Sequence, residues 1–306
     1  MAQPVTKNSS YCLSEANSTF QRIGLIANAS KTESTSLLKE AATFLASRGK
    51  LIFTEPETGQ LSDLHCPILS SPLELARNVD ILLVFGGDGT ILRVVRETEG
   101  VNTPVLGINA GRLGFLTAIP GNHLAEALER LLKGEYSIEH RPLIEAIGTS
   151  MGQPMQLQAM NDFVISRGAS QRMIELELSV NGELVTVYRC DGLIVSSPTG
   201  STAYSLSAGG AIIAPNAEVF CITPICPHTL SNRSLVLNLD ATIQVHVVDE
   251  KTDTTVAADG QVQLNLSSED YVIVRKSSRS VHLVQLHGNT FFQTVRKKLN
   301  WSGSTV

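Results

Sequence analysis

The stretch Ile81-Leu82-Leu83-Val84-Phe85-Gly86-Gly87-Asp88-Gly89-Thr90 decides how this chain folds. An apolar run of strand character ends in glycines, and Ile91, Leu92, Val94 and Val95 then follow at helical spacing, so the glycines sit on a strand-to-helix turn. Such turns bind phosphate. Gly86, Gly87 and Gly89 let backbone N–H groups approach anionic oxygens, Thr90 adds a hydroxyl, and the first helical turn contributes its positive dipole end. Asp88 would repel an anion, so it needs another job. The two natural ones are holding a metal ion that bridges phosphates and accepting a proton from a hydroxyl that attacks phosphorus. A tight turn with an Asp cap would read the same way.

Outward from this turn, the first half alternates strands with helices. Strands are expected at Arg22 to Asn28, Leu51 to Thr54, Asp80 to Phe85 and Pro104 to Ile108. Helical stripes fall at Leu37, Leu38, Ala41, Ala42, Phe44 and Leu45, ended by Gly49, and at Leu124 to Leu132, closed by Gly134. That alternation implies a Rossmann-like parallel sheet flanked by helices. A second glycine turn, Asn109-Ala110-Gly111-Arg112-Leu113-Gly114-Phe115, belongs at the same carboxyl edge, where open parallel sheets bind ligands.

From about Tyr136 the period becomes two. Met173 to Val180, Asn181-Gly182 and Glu183 to Tyr188 read as a hairpin, because Asn-Gly supplies the positive φ angles of a tight turn. Further strands are expected at Ser234 to Leu239, Thr242 to Val248, Val262 to Leu266, Tyr271 to Val274 and Val281 to Leu286, which together suggest an antiparallel β sandwich. The last helix, Thr290 to Leu299, places Phe291, Phe292, Val295 and Leu299 on one side and is expected to pack back on the first domain. The expected plan is α/β plus all-β. It has a loose tail at 1–20, a nucleotide-binding domain at 21–135 completed by 288–306, and a β-sandwich dinucleotide-binding domain at 136–287.

With 306 residues, 42% hydrophobic and 17% charged, the chain suits one large or two ordinary folded domains. A net charge of -5 argues against general nucleic-acid binding. The richest apolar segment, Ala211 to Pro227, is interrupted by Pro215, Asn216, Glu218 and Pro224, so no membrane span is expected. The first 20 residues lack the apolar core of a signal peptide. Cys12, Cys66, Cys190, Cys221 and Cys226 contain no C-x-x-C pair, and reduced thiols in a cytoplasmic protein are the expectation. No metal-ligand spacing links His123, His228 and His246, which read as structural.

The run Ser196 to Gly210 follows the strand Gly192 to Val195 and is dense in hydroxyls and glycine, with one aromatic, Tyr204, able to flank a base. Asp191 precedes that strand, and Asn161-Asp162 begins another. Asn offers a donor and an acceptor to a base or ribose edge, and carboxylates suit ribose hydroxyls.

Gly86-Gly-Asp-Gly-Thr90, Asn109-x-Gly-x-Leu-Gly-Phe115, Asn161-Asp162, Asp191-Gly192 and Thr199-Gly-Ser-Thr-Ala-Tyr204, in this order, closely resemble the NAD kinase family from about Arg22 to Trp301. The first motif is shared with diacylglycerol kinases, sphingosine kinases and, with a terminal Ser, phosphofructokinases; the later ones exclude them. The resemblance implies transfer of the terminal phosphoryl group of ATP, with a divalent metal, most naturally Mg, to the 2′-hydroxyl of the adenosine ribose of NAD. In it Asp88 matches the proton acceptor, Gly89 its binding neighbour, Arg93 a basic residue near phosphate and Phe115 an aromatic against adenine. Asn161 and Asp162 match an Asn-acidic pair on ribose and base, Asp standing where Glu is more usual. Arg172, Arg189 and Asp191 match positions around the nicotinamide half, some of them reached across a subunit interface of a homodimer or homotetramer. Thr199, Thr202, Ala203, Tyr204, Ser205, Leu206 and Ser207 match the adenosine segment, and Gln261, after Asp259-Gly260, matches a further ligand contact. Metal ligands stay unassigned. A lipid kinase and a non-catalytic NADP-binding sensor are the rival functions.

Overall fold

A computed structural model describes residues 20–301 except 29, 31, 63, 112, 118, 170–171, 229–232 and 249–252. Cys12 and most of the expected tail therefore lie outside the described residues, as do 302–306. Phe20, the last residue of the expected tail, is buried and stacks on Tyr136 with ring centroids 5.3 Å apart.

The first half runs β1 (Arg22–Ala27), α1 (Thr32–Ser47), β2 (Leu51–Thr54), α2 (Pro56–Ser62), α3 (Pro72–Asn78), β3 (Ile81–Gly86), α4 (Asp88–Glu97), β4 (Val105–Asn109), β5 (Ile119–Pro120) and α5 (Leu124–Leu132). Strands β2, β1, β3 and β4 pair in parallel, in that order. On one face α1 and α5 bury Leu38, Ala41, Leu45, Leu124, Leu128 and Leu131 against Ile23, Leu25, Leu83 and Phe85. On the other, α3 and α4 bury Leu75, Ala76, Ile91, Val94 and Val95 against Leu82 and Val84. Apolar residues on both faces of β3 explain its continuous hydrophobic run. Each fully buried Leu or Ile contributes about 1.5–3 kcal/mol, enough to fix which edge the following turn occupies.

The second half continues with β6 (Tyr136–Ser150), β7 (Gln153–Ala159), β8 (Asp162–Arg167), β9 (Ile174–Val180), β10 (Glu183–Cys190), β11 (Gly192–Ser196), the short helix α6 (Tyr204–Ser207), β12 (Val219–Ile225), β13 (Leu235–Asn238), β14 (Ile243–Val247), β15 (Thr254–Ala258), β16 (Val262–Leu266), β17 (Tyr271–Leu286) and α7 (Phe291–Leu299). Strands β13-β12-β11-β8-β15-β16 form an antiparallel six-stranded sheet. It packs on the antiparallel part of the larger sheet around Phe163, Val195, Phe220, Leu176, Leu178 and Val272, which makes the expected sandwich. The Asn181-Gly182 turn has φ of 52° and 82°, as its hairpin requires.

One expectation changes shape. The runs Tyr271 to Val274 and Val281 to Leu286 are two ends of a single 16-residue strand, β17, whose polar middle from Arg275 to Ser280 carries a register shift. One edge of β17 pairs with β6; the other pairs first with β14 and then, at Leu283, in parallel with Val105 of β4. The parallel sheet therefore does not stop near residue 135 but continues into an eleven-stranded sheet shared by both halves. The final helix starts from a capping box at Thr290 and Gln293 and buries Val295, while Phe292 is exposed. Among the described residues no helix is long and apolar enough to cross a membrane.

Candidate functional site

Asp88 opens α4, where its negative charge lies at the positive end of the helix. Its carboxylate reaches across to the second glycine turn: Oδ2 accepts from Phe115 N–H at 2.8 Å, and Oδ1 from Leu116 and Thr117 N–H at 3.0 and 3.3 Å. Gly114 makes this approach possible, since a Cβ there would overlap the Asp88 carboxylate. An ionised carboxylate offers about four lone-pair sites. Among the described residues three are taken, and one on Oδ2 is left. Gly89 differs from Gly114, because a Cβ on it would meet nothing within 4 Å. Packing therefore does not require a glycine there.

Beside Gly89 lies a cavity of about 420 Å³ lined by Asn28, Glu57, Thr90, Arg93, Arg96 and Gln261. Thr90 Oγ1 accepts from Asn28 Nδ2 at 3.3 Å. Arg93 is held by Glu57 at 2.7 Å and Glu97 at 3.5 Å, and donates to the Ala27 carbonyl. Two guanidiniums on α4, Arg93 at mid-helix and Arg96 in the last turn, make this a place for polyanionic oxygens.

The expected acceptor residues converge from the β sandwich. Asn161 and Asp162 stand at the start of β8, and their amides, with that of Met160, bond to the Asp259 carboxylate at 2.7 to 3.2 Å. Asp162 is buried, and burial, followed by the charge of Asp259, pushes its pKa up to about 7. Burial raises the Asp259 pKa too, against the downward pull of the three amides and of Arg96. Ser197 N–H donates to the Asn161 carbonyl at 2.8 Å, which ties the next segment to the same place. Thr199 and Thr202 lie in a 3₁₀ turn leading through Ala203 into α6, and Thr199 Oγ1 accepts from the buried Arg141. The Tyr204 ring is exposed, Leu206 half-buried and Ser207 exposed. Ser205 points inward, its hydroxyl 3.0 Å from that of Thr223. Phe115 is tilted against Phe291 of α7 at 6.5 Å, with Lys298 Nζ 5.2 Å from its ring centroid. Gln261 makes contacts within the protein, donating to the Gly89 carbonyl at 2.9 Å and accepting from Arg96.

Three expected residues lie elsewhere. Asp191 precedes β11 and Ser197 follows it, so five residues of strand, about 17 Å, separate Asp191 from the Thr199 segment. Asp191 pairs with Arg167 at 2.9 Å, Arg189 with Glu175 at 3.0 Å across the β9–β10 ladder, and Arg172 is exposed near the start of β9. A single chain thus places Asp191 at the opposite end of β11 from the Thr199 segment. Among the described residues no group of three or more His, Cys, Asp or Glu side chains could hold a metal ion. Sequence patterns do not mark Arg96, Arg141, Glu57 or the clamp made by Asp259. Asp259-Gly260 shows only as a turn signal, and the others carry none.

A parallel sheet with two glycine turns at its carboxyl edge, joined to a sandwich that brings hydroxyls and a buried carboxyl to the same place, defines a nucleotide-dependent phosphotransferase. Residues 23–136 match the model of the ATP-NAD kinase N-terminal domain and residues 160–286 that of the ATP-NAD kinase C-terminal domain. The chain is 38% identical to an NAD kinase from Syntrophotalea carbinolica, over 92% of this chain and 99% of that one. It is 40% identical to one from Desulforamulus reducens, over 90% and 96%. Two solved structures share the fold. Yeast NADH kinase complexed with NADH superposes with a TM-score of 0.86 at 25% identity, covering 95% of this chain and 90% of its own. An NAD kinase from Archaeoglobus fulgidus in complex with ATP gives 0.71 at 27%, covering 92% and 100%. The chain belongs to the ATP-NAD kinase family and is an enzyme.

Proposed function

We propose that this enzyme transfers the terminal phosphoryl group of ATP to the 2′-hydroxyl of the adenosine ribose of NAD, with Asp88 as proton acceptor. The observation that carries the role of Asp88 is its remaining Oδ2 lone pair, on a carboxylate locked in place by three amides. The ribose hydroxyl gives its proton to Oδ2 as its oxygen bonds to phosphorus, and the bond to the departing ADP oxygen breaks. Holding the carboxylate in one orientation supplies positioning, and proton transfer adds about 10²–10⁴-fold. Phe115, Asn161, Asp162 and the segment from Thr199 to Ser207 receive the adenosine half. The cavity of Arg93 and Arg96 receives the donor phosphates.

Magnesium fits this donor set. It keeps waters and is bound through one or two carboxylates plus substrate phosphates, and Glu57 is the carboxylate that lines the cavity. When bound it neutralises charge on the phosphate oxygens. Free thiols at Cys66, Cys190, Cys221 and Cys226 favour a reducing compartment, the cytoplasm.

The separation of Asp191 from the Thr199 segment favours a homo-oligomer in which a neighbouring subunit supplies the nicotinamide end. Mixed oligomers of Asp88→Asn and Asp191→Ala chains, each inactive alone, are expected to regain activity. No recovery after verified subunit exchange would place the whole site within one chain. The reaction itself is tested by incubating the protein with ATP and magnesium and either NAD or diacylglycerol. NADP formation, abolished by a chelator, is expected; a phosphorylated lipid product, or NAD bound but unchanged, would favour one of the rivals.

A further inference from the structure

Glu55 stands immediately before α2 and is buried, a place where a carboxylate needs partners. Both of its oxygens have them. Oε2 accepts from Glu57 N–H at 2.7 Å, and Oε1 accepts from Thr58 N–H at 2.8 Å and from the Thr58 hydroxyl. Pro56 carries no N–H, and Gly59 N–H donates to the Glu55 carbonyl at 2.9 Å, so the opening turn of this short helix is fully paired. The chain of bonds then leaves the helix. The Thr58 O–H is committed to the carboxylate, so its oxygen accepts, and the donor is Ala27 N–H at 2.8 Å, at the end of β1. The Ala27 carbonyl accepts from Arg93 at 3.3 Å, and Glu57, whose amide Glu55 holds, meets the same guanidinium at 2.7 Å.

We propose that Glu55 and Thr58 are positioning residues that hold Arg93 ready for the donor phosphates, acting through the two acceptors, Glu57 and the Ala27 carbonyl, that bond to its guanidinium. The inference rests on the reading of the Arg93 and Arg96 cavity as the donor site. Arg93 belongs to α4, whereas these acceptors belong to α2 and β1, so the guanidinium is placed only as well as those two elements are placed against each other. An arginine left to swing on its long stem would have to be ordered as the phosphates bind, at a cost in side-chain entropy. Glu55 and Thr58 order it beforehand. Neither lines the cavity, so their effect on a ligand is indirect. Capping α2 alone would not need this arrangement, because a Ser, Thr, Asp or Asn before the helix accepts an amide just as well. Glu55 also takes the Thr58 hydroxyl, and that bond turns the Thr58 oxygen into the acceptor for Ala27.

The test compares wild type with Thr58→Val, Thr58→Ser and Glu55→Gln in the full chain. Thr58→Val keeps the shape and removes the hydroxyl link, Thr58→Ser keeps the link, and Glu55→Gln turns one acceptor oxygen into a donor facing donors. Thr58→Val and Glu55→Gln are expected to raise KM for ATP about three- to tenfold, the size of one hydrogen bond, with KM for NAD and kcat within about twofold. Thr58→Ser is expected to behave as wild type. Without nucleotide, NMR of the Arg93 guanidinium should show faster rotation about its Nε–Cζ bond in Thr58→Val and not in Thr58→Ser. In an Arg93→Met background, Thr58→Val should add nothing to KM for ATP while still lowering Tm, because its effect on the ligand runs through Arg93. A lowered Tm with KM for ATP unchanged, or KM rising equally for both nucleotides, would make Glu55 and Thr58 a cap for α2 alone and overturn the proposal, as would unchanged guanidinium rotation. If Arg93→Met itself leaves KM for ATP unchanged, the donor-site reading fails, and the rotation measurement still decides whether Glu55 and Thr58 hold the guanidinium.

Discussion

Asp88 and Asp259 each accept the amides of three consecutive residues, Phe115 to Thr117 in one half of the molecule and Met160 to Asp162 in the other. Even the oxygen pattern repeats, with Oδ2 on the first amide and Oδ1 on the next two. Their surroundings differ. Asp88 opens a helix beside an open glycine and a cavity with two guanidiniums, whereas Asp259 sits in a hairpin against the buried carboxyl of Asp162. The amide clamp therefore locks loops in both places and does not by itself make a catalytic group. What sets Asp88 apart is where its spare lone pair lies.

The pair supplies its own control. Replacing either residue by Asn turns a donor toward a backbone N–H and disturbs the same kind of clamp, so the excess effect at Asp88 isolates the proton-accepting role. Asp88→Asn is expected to lower single-turnover rates by about 10²–10⁴-fold while NAD still binds in titration. Asp259→Asn is expected to lower Tm and weaken NAD binding, leaving an amide short of an acceptor at about 1–3 kcal/mol, with kcat reduced far less. Equal losses of kcat would mean that Asp88 is another structural clamp.

The next largest effect belongs to the cavity that distinguishes the Asp88 side. Arg93→Met removes a charged donor from the cavity together with its ion pair to Glu57. Steady-state assays are expected to show KM for ATP rising about tenfold or more, with KM for NAD nearly constant. A change confined to NAD would exchange the places assigned to donor and acceptor.

One side of this comparison is far more legible in the amino-acid sequence than the other. The phosphate turn, the parallel order around it and the Asn181-Gly182 hairpin follow from local patterns that tertiary packing leaves intact. The strand β17 is not legible as one element, since Arg275-Lys-Ser-Ser-Arg-Ser280 breaks the apolar alternation that its two ends display. Helices α2 and α3 escape sequence patterning because each has seven residues, two turns, too few to show a period. At the site, the two glycine turns matched by motif meet at Asp88. The clamp of Asp259 joins residues about 100 positions apart, and no local pattern announces such a contact. The same holds for Arg141 reaching Thr199.

A smaller effect separates the clamps by pH. The Asp162 carboxyl, raised to about 7 by burial and by Asp259, binds its proton more tightly in the folded chain than in the unfolded one. Its contribution to stability is therefore full below the ordinary carboxylate range and is lost as pH rises from about 4 to 7. Melting curves across that window should show this decline in wild type and a flatter profile in Asp162→Asn. An equal slope in both would mean that Asp162 ionises normally and that Asp259 resembles Asp88 more closely than its surroundings suggest.

The smallest expected change lies at Arg189, on the β9–β10 ladder. Arg189 pairs with Glu175 on the surface, an interaction worth about 0–1 kcal/mol, so Arg189→Gly should alter Tm little for loss of the pair itself. Its interest is selectivity. The fold is shared with a yeast enzyme named NADH kinase and an archaeal one named NAD kinase, so the backbone does not choose the redox form and side chains must. Oxidised nicotinamide carries a positive charge that the reduced ring lacks, and a nearby cation alone would disfavour it. With the ring bound here, Asp191, two residues on, would offset that charge, and the bulk and donors of Arg189 would act against the puckered reduced ring. The family resemblance implies a preference for NAD; if it is steric and hydrogen-bonded more than Coulombic, it should persist at high salt. We expect the ratio of kcat/KM for NAD over NADH to fall in Arg189→Gly, with turnover of NAD itself nearly unchanged. A ratio that stays constant would remove Arg189 from the choice, and one that collapses with salt in wild type would make the choice electrostatic after all.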